Sequence, residues 1–216
     1  MATESGSMPP RRKNGDPLIL FVDDNEVLRG IITEVLEGRC GYTVMTADGG
    51  RDCLDTLADI RPDMILLDIM MEPMDGWDTL REIYSNVEYR TIPIVLMTGK
   101  MFLPREMLAY GPHICGWIKK PIRMEPFTKA IQQIFTELSE DEKVAEEMKG
   151  TASPEERQRI ALHRRRLRVL RQIYEEITAQ CVTPAGNSCE GWIEDINEMN
   201  ELISQEEEWC RAHGLI

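Results

Sequence analysis

Five polar residues stand at the downstream ends of short apolar runs, and their types are chemically complementary. The run Leu18–Val22 ends in Asp23 and Asp24, the run at 63–68 ends in Asp68, the run at 92–98 ends in Thr98, and the short run 116–119 leads into Lys120. Together they offer three carboxylates, a hydroxyl and an ammonium. Three close carboxylates repel one another unless a hard cation neutralises them, and oxygen ligands with open water positions suit Mg²⁺. A lone acid at a strand end usually caps the following helix. All five residues at one edge would not be explained that way.

Those runs are apolar on both faces, the pattern of strands buried between two helical layers. Two shorter candidates lie at 43–46 and 116–119. Helical periodicity fills the gaps. Val27, Ile31, Val35 and Leu36 share one face, Cys53, Leu54 and Leu57 another, and Trp77, Leu80, Ile83 and Tyr84 a third. A short helix at 104–110 and a stripe of Phe127, Ile131, Ile134, Phe135 and Leu138 complete the set. Five strands alternating with five helices predict an α/β fold with a doubly wound five-stranded parallel sheet, because a parallel crossover needs a helix between strands. Ligands of such sheets bind beyond the carboxyl ends of the strands, where the five polar residues fall.

Val22-Asp23-Asp24, Leu66-Leu67-Asp68-Ile69-Met70-Met71, Met74-Asp75-Gly76, Met97-Thr98-Gly99 and Lys119-Lys120-Pro121 occur in order along residues 17–138. In these motifs the sequence resembles the receiver domains of two-component response regulators. Each motif is weak singly, but five in order at strand ends are specific. The resemblance implies a flavodoxin-like receiver fold in which Asp68 accepts a phosphoryl group from a sensor histidine kinase. It implies that Asp24 and Asp68 ligate Mg²⁺ directly, Asp23 through water, and Met70 through its backbone carbonyl. Lys120 and Thr98 would contact phosphoryl oxygens, with Gly99 leaving room, and Trp117 would be the switch aromatic that moves when Thr98 does. The protein would be a phosphoacceptor switch with at most autophosphatase activity, not an enzyme. An acid-phosphatase reading lacks a second acid two residues after Asp68, where Met70 stands.

Two departures from the family pattern stand out. Glu72 precedes Pro73 where the family has proline directly after the Met-Met pair, and Glu72 is expected to point to water. The loop at 111–116 is unusual and about two residues long beyond the family form, with His113 expected as a surface residue.

After Leu138 the composition changes. Residues 139–153 read as a charged linker, and Ser153-Pro154-Glu155-Glu156 as a capping-box helix start. Ile160, Leu167, Leu170, Tyr174 and Ile177 then mark one helical arm. Residues 184–186 break it, 187–190 offer another capping box, and Trp192, Ile196, Met199, Ile203 and Cys210 mark a second arm. Residues 154–216 are thus expected to form a helical hairpin. Arg157, Arg159, Arg164, Arg165, Arg166, Arg168 and Arg171 make the first arm basic, and eight acids make the second acidic. Complementary packing of the arms is preferred over contact with DNA, because no helix-turn-helix pattern is present. The alternative is a transcription regulator whose basic helix binds DNA. Two helices bury little apolar surface alone, so the hairpin should form a homodimer, lie on its own receiver or bind another protein. The expected output is dimerisation or protein contact.

A net charge of −13 argues against generic binding to nucleic acid or acidic membranes. No apolar run reaches the ~20 residues needed to span a bilayer, and residues 1–16 read as a disordered polar lead-in without a signal peptide. The six cysteines are expected to be reduced thiols of a cytoplasmic protein, with a bridge between Cys181 and Cys189 as the minor reading.

Overall fold

The computed structural model describes residues 15–181 and 189–216, and its contacts divide the chain into two units at Met97/Thr98. The expectations for residues 1–14 and for the helix breaker and capping box near 184–190 lie outside the described side chains.

The first unit holds β1 (Leu18–Val22), α1 (Glu26–Cys40), β2 (Thr43–Ala47), α2 (Gly50–Asp59), β3 (Met64–Asp68), α3 (Gly76–Ser85) and nearly all of β4 (Ile94–Thr98). β1 pairs in parallel with β2 and β3, and β3 with β4. The five strands, with β5 at Gly116–Lys119, form one parallel sheet of order β2-β1-β3-β4-β5. Every residue of β1, β3 and β4 is buried, as their unbroken apolar runs require. Asn25 caps α1, its side-chain oxygen accepting from the Leu28 amide at 3.1 Å, and Asp75 caps α3 by accepting from Asp78 at 2.8 Å.

The buried face of α1 differs from the expected one. Ile32 and Leu36 are fully buried, whereas Val27 and Ile31 are 71% and 44% exposed. The apolar stripe of α1 is wider than the surface it covers, so periodicity alone misplaced its centre by one position.

The second unit continues with α4 (Pro104–Tyr110), a 3₁₀ turn at Gly111–His113, β5, α5 (Met124–Glu147), α6 (Pro154–Cys181), a 3₁₀ turn at Cys189–Trp192 and α7 (Ile193–Ala212). The segment 139–153, expected as a linker, is helical as far as Glu147. The reason is visible in the register. Phe127, Ile131, Ile134, Leu138, Asp141 and Ala145 form one buried stripe of α5, and Asp141 is wholly buried within it. An acid in an apolar register looks like the end of a helix, but this acid has partners. Asp141 accepts from Arg164 at 3.3 Å and from Arg168 at 3.1 and 2.7 Å, while Glu137 lies 3.0 Å from Arg168.

α6 starts with the reciprocal capping box. The Ser153 amide donates to Glu156 at 2.7 Å, and the Glu156 amide to the Ser153 hydroxyl at 3.2 Å. The helix packs against α5 on one side and α7 on another. Leu167, Leu170, Ile203 and Cys210 form the core between α6 and α7. Glu206, buried, accepts from Arg166 at 2.9 Å and lies 2.6 Å from His163 Nδ1. Further along, Arg171 donates to Glu207 at 2.6 Å. α6 also meets the 3₁₀ turn, where Arg166 donates to the Pro112 carbonyl at 3.3 Å, and the end of β5, where Lys119 pairs with Glu176.

The expectation of reduced thiols fails at Cys181, which is disulfide-bonded. It is the last residue of α6. Cys40, Cys53, Cys115 and Cys210 are free. Burial pushes the Cys53 and Cys115 thiols up to about 12, so neither is a nucleophile at neutral pH. Among the described residues no helix is long and apolar enough to cross a membrane.

Candidate functional site

In the first unit, the carboxyl ends of β1 and β3 bring Asp23, Asp24 and Asp68 together. One oxygen from each lies within 4.8 Å of the others. Asp23 is fully buried and Asp68 is 3% exposed, while Asp24 faces solvent. The parallel register explains the meeting, because Val22 and Leu67 are directly paired and the next residue on each strand is an acid. Backbone donors hold the buried pair. The Asn25 amide donates to Asp23 Oδ1 at 2.9 Å, and the Met70 amide to Asp68 Oδ1 at 3.3 Å.

This donor set fits a hard divalent cation. It supplies carboxylate oxygens alone, two of them withdrawn from water, and one open side for water ligands. Glu72 is exposed, as expected. Gly76 approaches the site from α3. A Cβ there would collide with the Asp68 carbonyl and Ile69 Cα, so only glycine lets the helix start this close to β3.

In the second unit, Thr98 ends β4 and is 1% exposed. Its hydroxyl accepts from the Lys100 amide at 2.9 Å, and its carbonyl accepts from the Lys120 amide at 2.8 Å. Lys120 follows β5 and precedes a cis Pro121. A Cβ at Gly99 would meet only the Lys120 Cβ, at 3.8 Å, leaving that side open. Trp117, half-buried on β5, meets Phe102 edge-on with ring centroids 5.7 Å apart.

Three features escaped sequence reasoning. Phe102, 3% exposed, lies in a loop of otherwise exposed residues, where no periodicity marks it. Asp141 could have been found by extending the stripe of α5 through one polar position. His113, expected at the surface, is partly buried. Burial, reinforced by the nearby Arg166 guanidinium, lowers its pKa from 6.5 to about 4, so its ring is neutral at physiological pH.

A parallel sheet of this order with paired acids at adjacent strand ends is the arrangement of a receiver fold. Residues 19–132 match the family model of the response regulator receiver domain, more than half of the chain, and the protein belongs to that family. It is 27% identical over 135 residues to the response regulator MprA of Mycolicibacterium vanbaalenii, covering 62% of this chain and 57% of that one. It is 26% identical over 125 residues to the DNA-binding transcriptional regulator NtrC of Escherichia coli, covering 58% of this chain and 26% of that one. Among solved structures, Vibrio cholerae chemotaxis protein CheY4 superposes with a TM-score of 0.51 at 29% identity, over 55% of this chain and 98% of that one. The chain spans little more than half the length of the first curated relatives it matches.

Proposed function

We propose that the protein is a phosphorylation-switched signalling protein in which Asp68 accepts a phosphoryl group from a phosphohistidine of a sensor kinase. The carrying observation is the carboxylate cluster, with Asp68 at the end of β3 beside two further acids. An Asp68 oxygen attacks phosphorus in line, the P–N bond breaks, and the imidazole leaves with the electron pair. Such transfers depend on positioning and charge neutralisation more than on covalent helpers. Asp24 and Asp68 would hold Mg²⁺ directly and Asp23 through water, with the Met70 carbonyl as a further oxygen. The ion would supply the positive charge that lets an anionic phosphoryl group approach three acids.

Lys120 and Thr98 are assigned the phosphoryl contacts, on the resemblance and on their positions after β5 and at the end of β4. Trp117 is assigned the switch. The chain's own catalysis is then limited to loss of the phosphoryl group to water, and a cytoplasmic location fits a kinase partner of this kind.

The DNA-binding alternative finds less support. Arg164, Arg166, Arg168 and Arg171 spend their guanidiniums on Asp141, Glu206, Glu137 and Glu207 within the chain. A helix neutralised in this way offers few free cations to a phosphate backbone. Output through protein contact is favoured instead. Homodimerisation as a four-helix bundle is not demanded by burial, because the apolar residues of α6 are already covered within the chain.

Incubation with a small phosphodonor and Mg²⁺, read by intact mass, tests the reading. One phosphoryl should add to the wild type and none to Asp68→Asn, and chelating divalent ions should suppress the uptake. Equal uptake by wild type and Asp68→Asn would refute it.

A further inference from the structure

The second unit joins its helices by unlike contacts, and α6 is held by buried charge to both α5 and α7, the latter through Glu206 and Arg166. α5 and α6 are clamped by charge inside the protein, because wholly buried Asp141 takes three hydrogen bonds from Arg164 and Arg168. Separating those groups would strand a buried carboxylate, so that side is stiff. α4 and α7 also pack together, but their ion pair is Arg105 Nε to Asp195 Oδ1 at 3.8 Å, with the Arg105 side chain 87% exposed. An exposed pair at that length holds little. That side is compliant.

The residues before α4 are tied to Thr98 and Trp117 by two routes. The Lys100 amide donates to the Thr98 hydroxyl, and the Lys100 ammonium lies 3.7 Å from Glu106 of α4. Glu106 in turn accepts from the Leu103 amide at 3.3 Å. Phe102, two residues before Pro104, rests edge-on against Trp117. If the Thr98 hydroxyl turns to another oxygen, the Lys100 amide loses its acceptor. If the Trp117 ring moves, Phe102 loses its contact. Both changes act on the start of a seven-residue helix whose outer neighbour is α7.

We propose that α7 is the output element of this chain, tilted by α4 through Phe102 and Lys100 about its buried Glu206–Arg166 contact, while α6 stays clamped to α5. The C-terminal hairpin is thereby a lever built onto the switch and not a module that detaches. This rests on the phosphoacceptor reading above and names how that site is regulated outward.

Hydrogen exchange of the full chain, with and without a small phosphodonor and Mg²⁺, tests it, with phosphoryl uptake measured by intact mass in the same samples. Phosphorylation should change exchange at 104–113 and 193–212 by about threefold or more, with little change at 131–145 and 160–172. Phe102→Leu should still take up phosphate but lose most of the change at 193–212, and Phe102→Tyr, which keeps the ring, should restore it. An unchanged 193–212 in fully phosphorylated wild type would overturn the lever. So would equal loosening of α6 and α7, which is release of the hairpin, or a full response in Phe102→Leu. Absence of phosphoryl uptake would instead remove the reading on which the lever rests.

Discussion

Gly76 and His113 show how single positions constrain this protein in opposite ways. At Gly76 the constraint is space, since any β-carbon meets the Asp68 carbonyl. Gly76→Ala should therefore cost about 1–3 kcal/mol by overpacking, read as a lower urea midpoint, and should slow phosphoryl uptake by shifting Asp68. At His113 the constraint is charge. Its folded pKa of about 4 lies below the ordinary 6.5, so the unfolded chain binds a proton that the native one refuses. Stability from this group is complete above pH 6.5 and declines as pH falls toward 4. His113→Gln should flatten that decline in unfolding curves collected between pH 7 and 4, and an unchanged slope would dismiss the account.

At the scale of elements, α5 carries the most unusual energetics. Asp141→Ala removes the acid that two guanidiniums share inside the protein, and should destabilise the chain by about 3 kcal/mol or more, measured by denaturant unfolding. The five strands and the acidic ends of β1 and β3 were legible in the sequence because runs apolar on both faces leave little choice but a buried parallel sheet. The full length of α5 was not legible. Its stripe passes through Asp141, and only the later arginines of α6 reveal that the acid is neutralised. Val27 and Ile31 of α1 misled for the converse reason, since apolar character at helical spacing does not say which stripe of a wide apolar face is covered. Phe102 was hidden because its importance lies in a ring contact with Trp117, fifteen residues away in sequence.

Taken as a whole, the second unit makes the C-terminal helices part of the receiver's packing. Deleting 154–216 would leave Asp141 without Arg164 and Arg168, Glu137 without Arg168, and Gly111 without the Ile173 and Leu170 side chains beside it. A chain ending at residue 153 should therefore melt several degrees lower than the full protein, by the usual relation between lost stability and Tm. An equal Tm would mean that α6 contributes nothing to the receiver. The arginine-rich motif, read from sequence as a surface for phosphate, serves at this scale as internal counter-charge. That role depends on which acids lie opposite, and no single segment contains the information.

The Asp141 clamp also sets a schedule for synthesis. The second guanidinium it needs lies 27 residues downstream, so at about 5–20 residues per second the ribosome takes roughly one to five seconds to supply it. During that interval the nascent α5 carries an uncompensated acid amid its greasiest surface. The end of this helix is therefore expected to stay hydrated and unpacked until its cationic partner has been made.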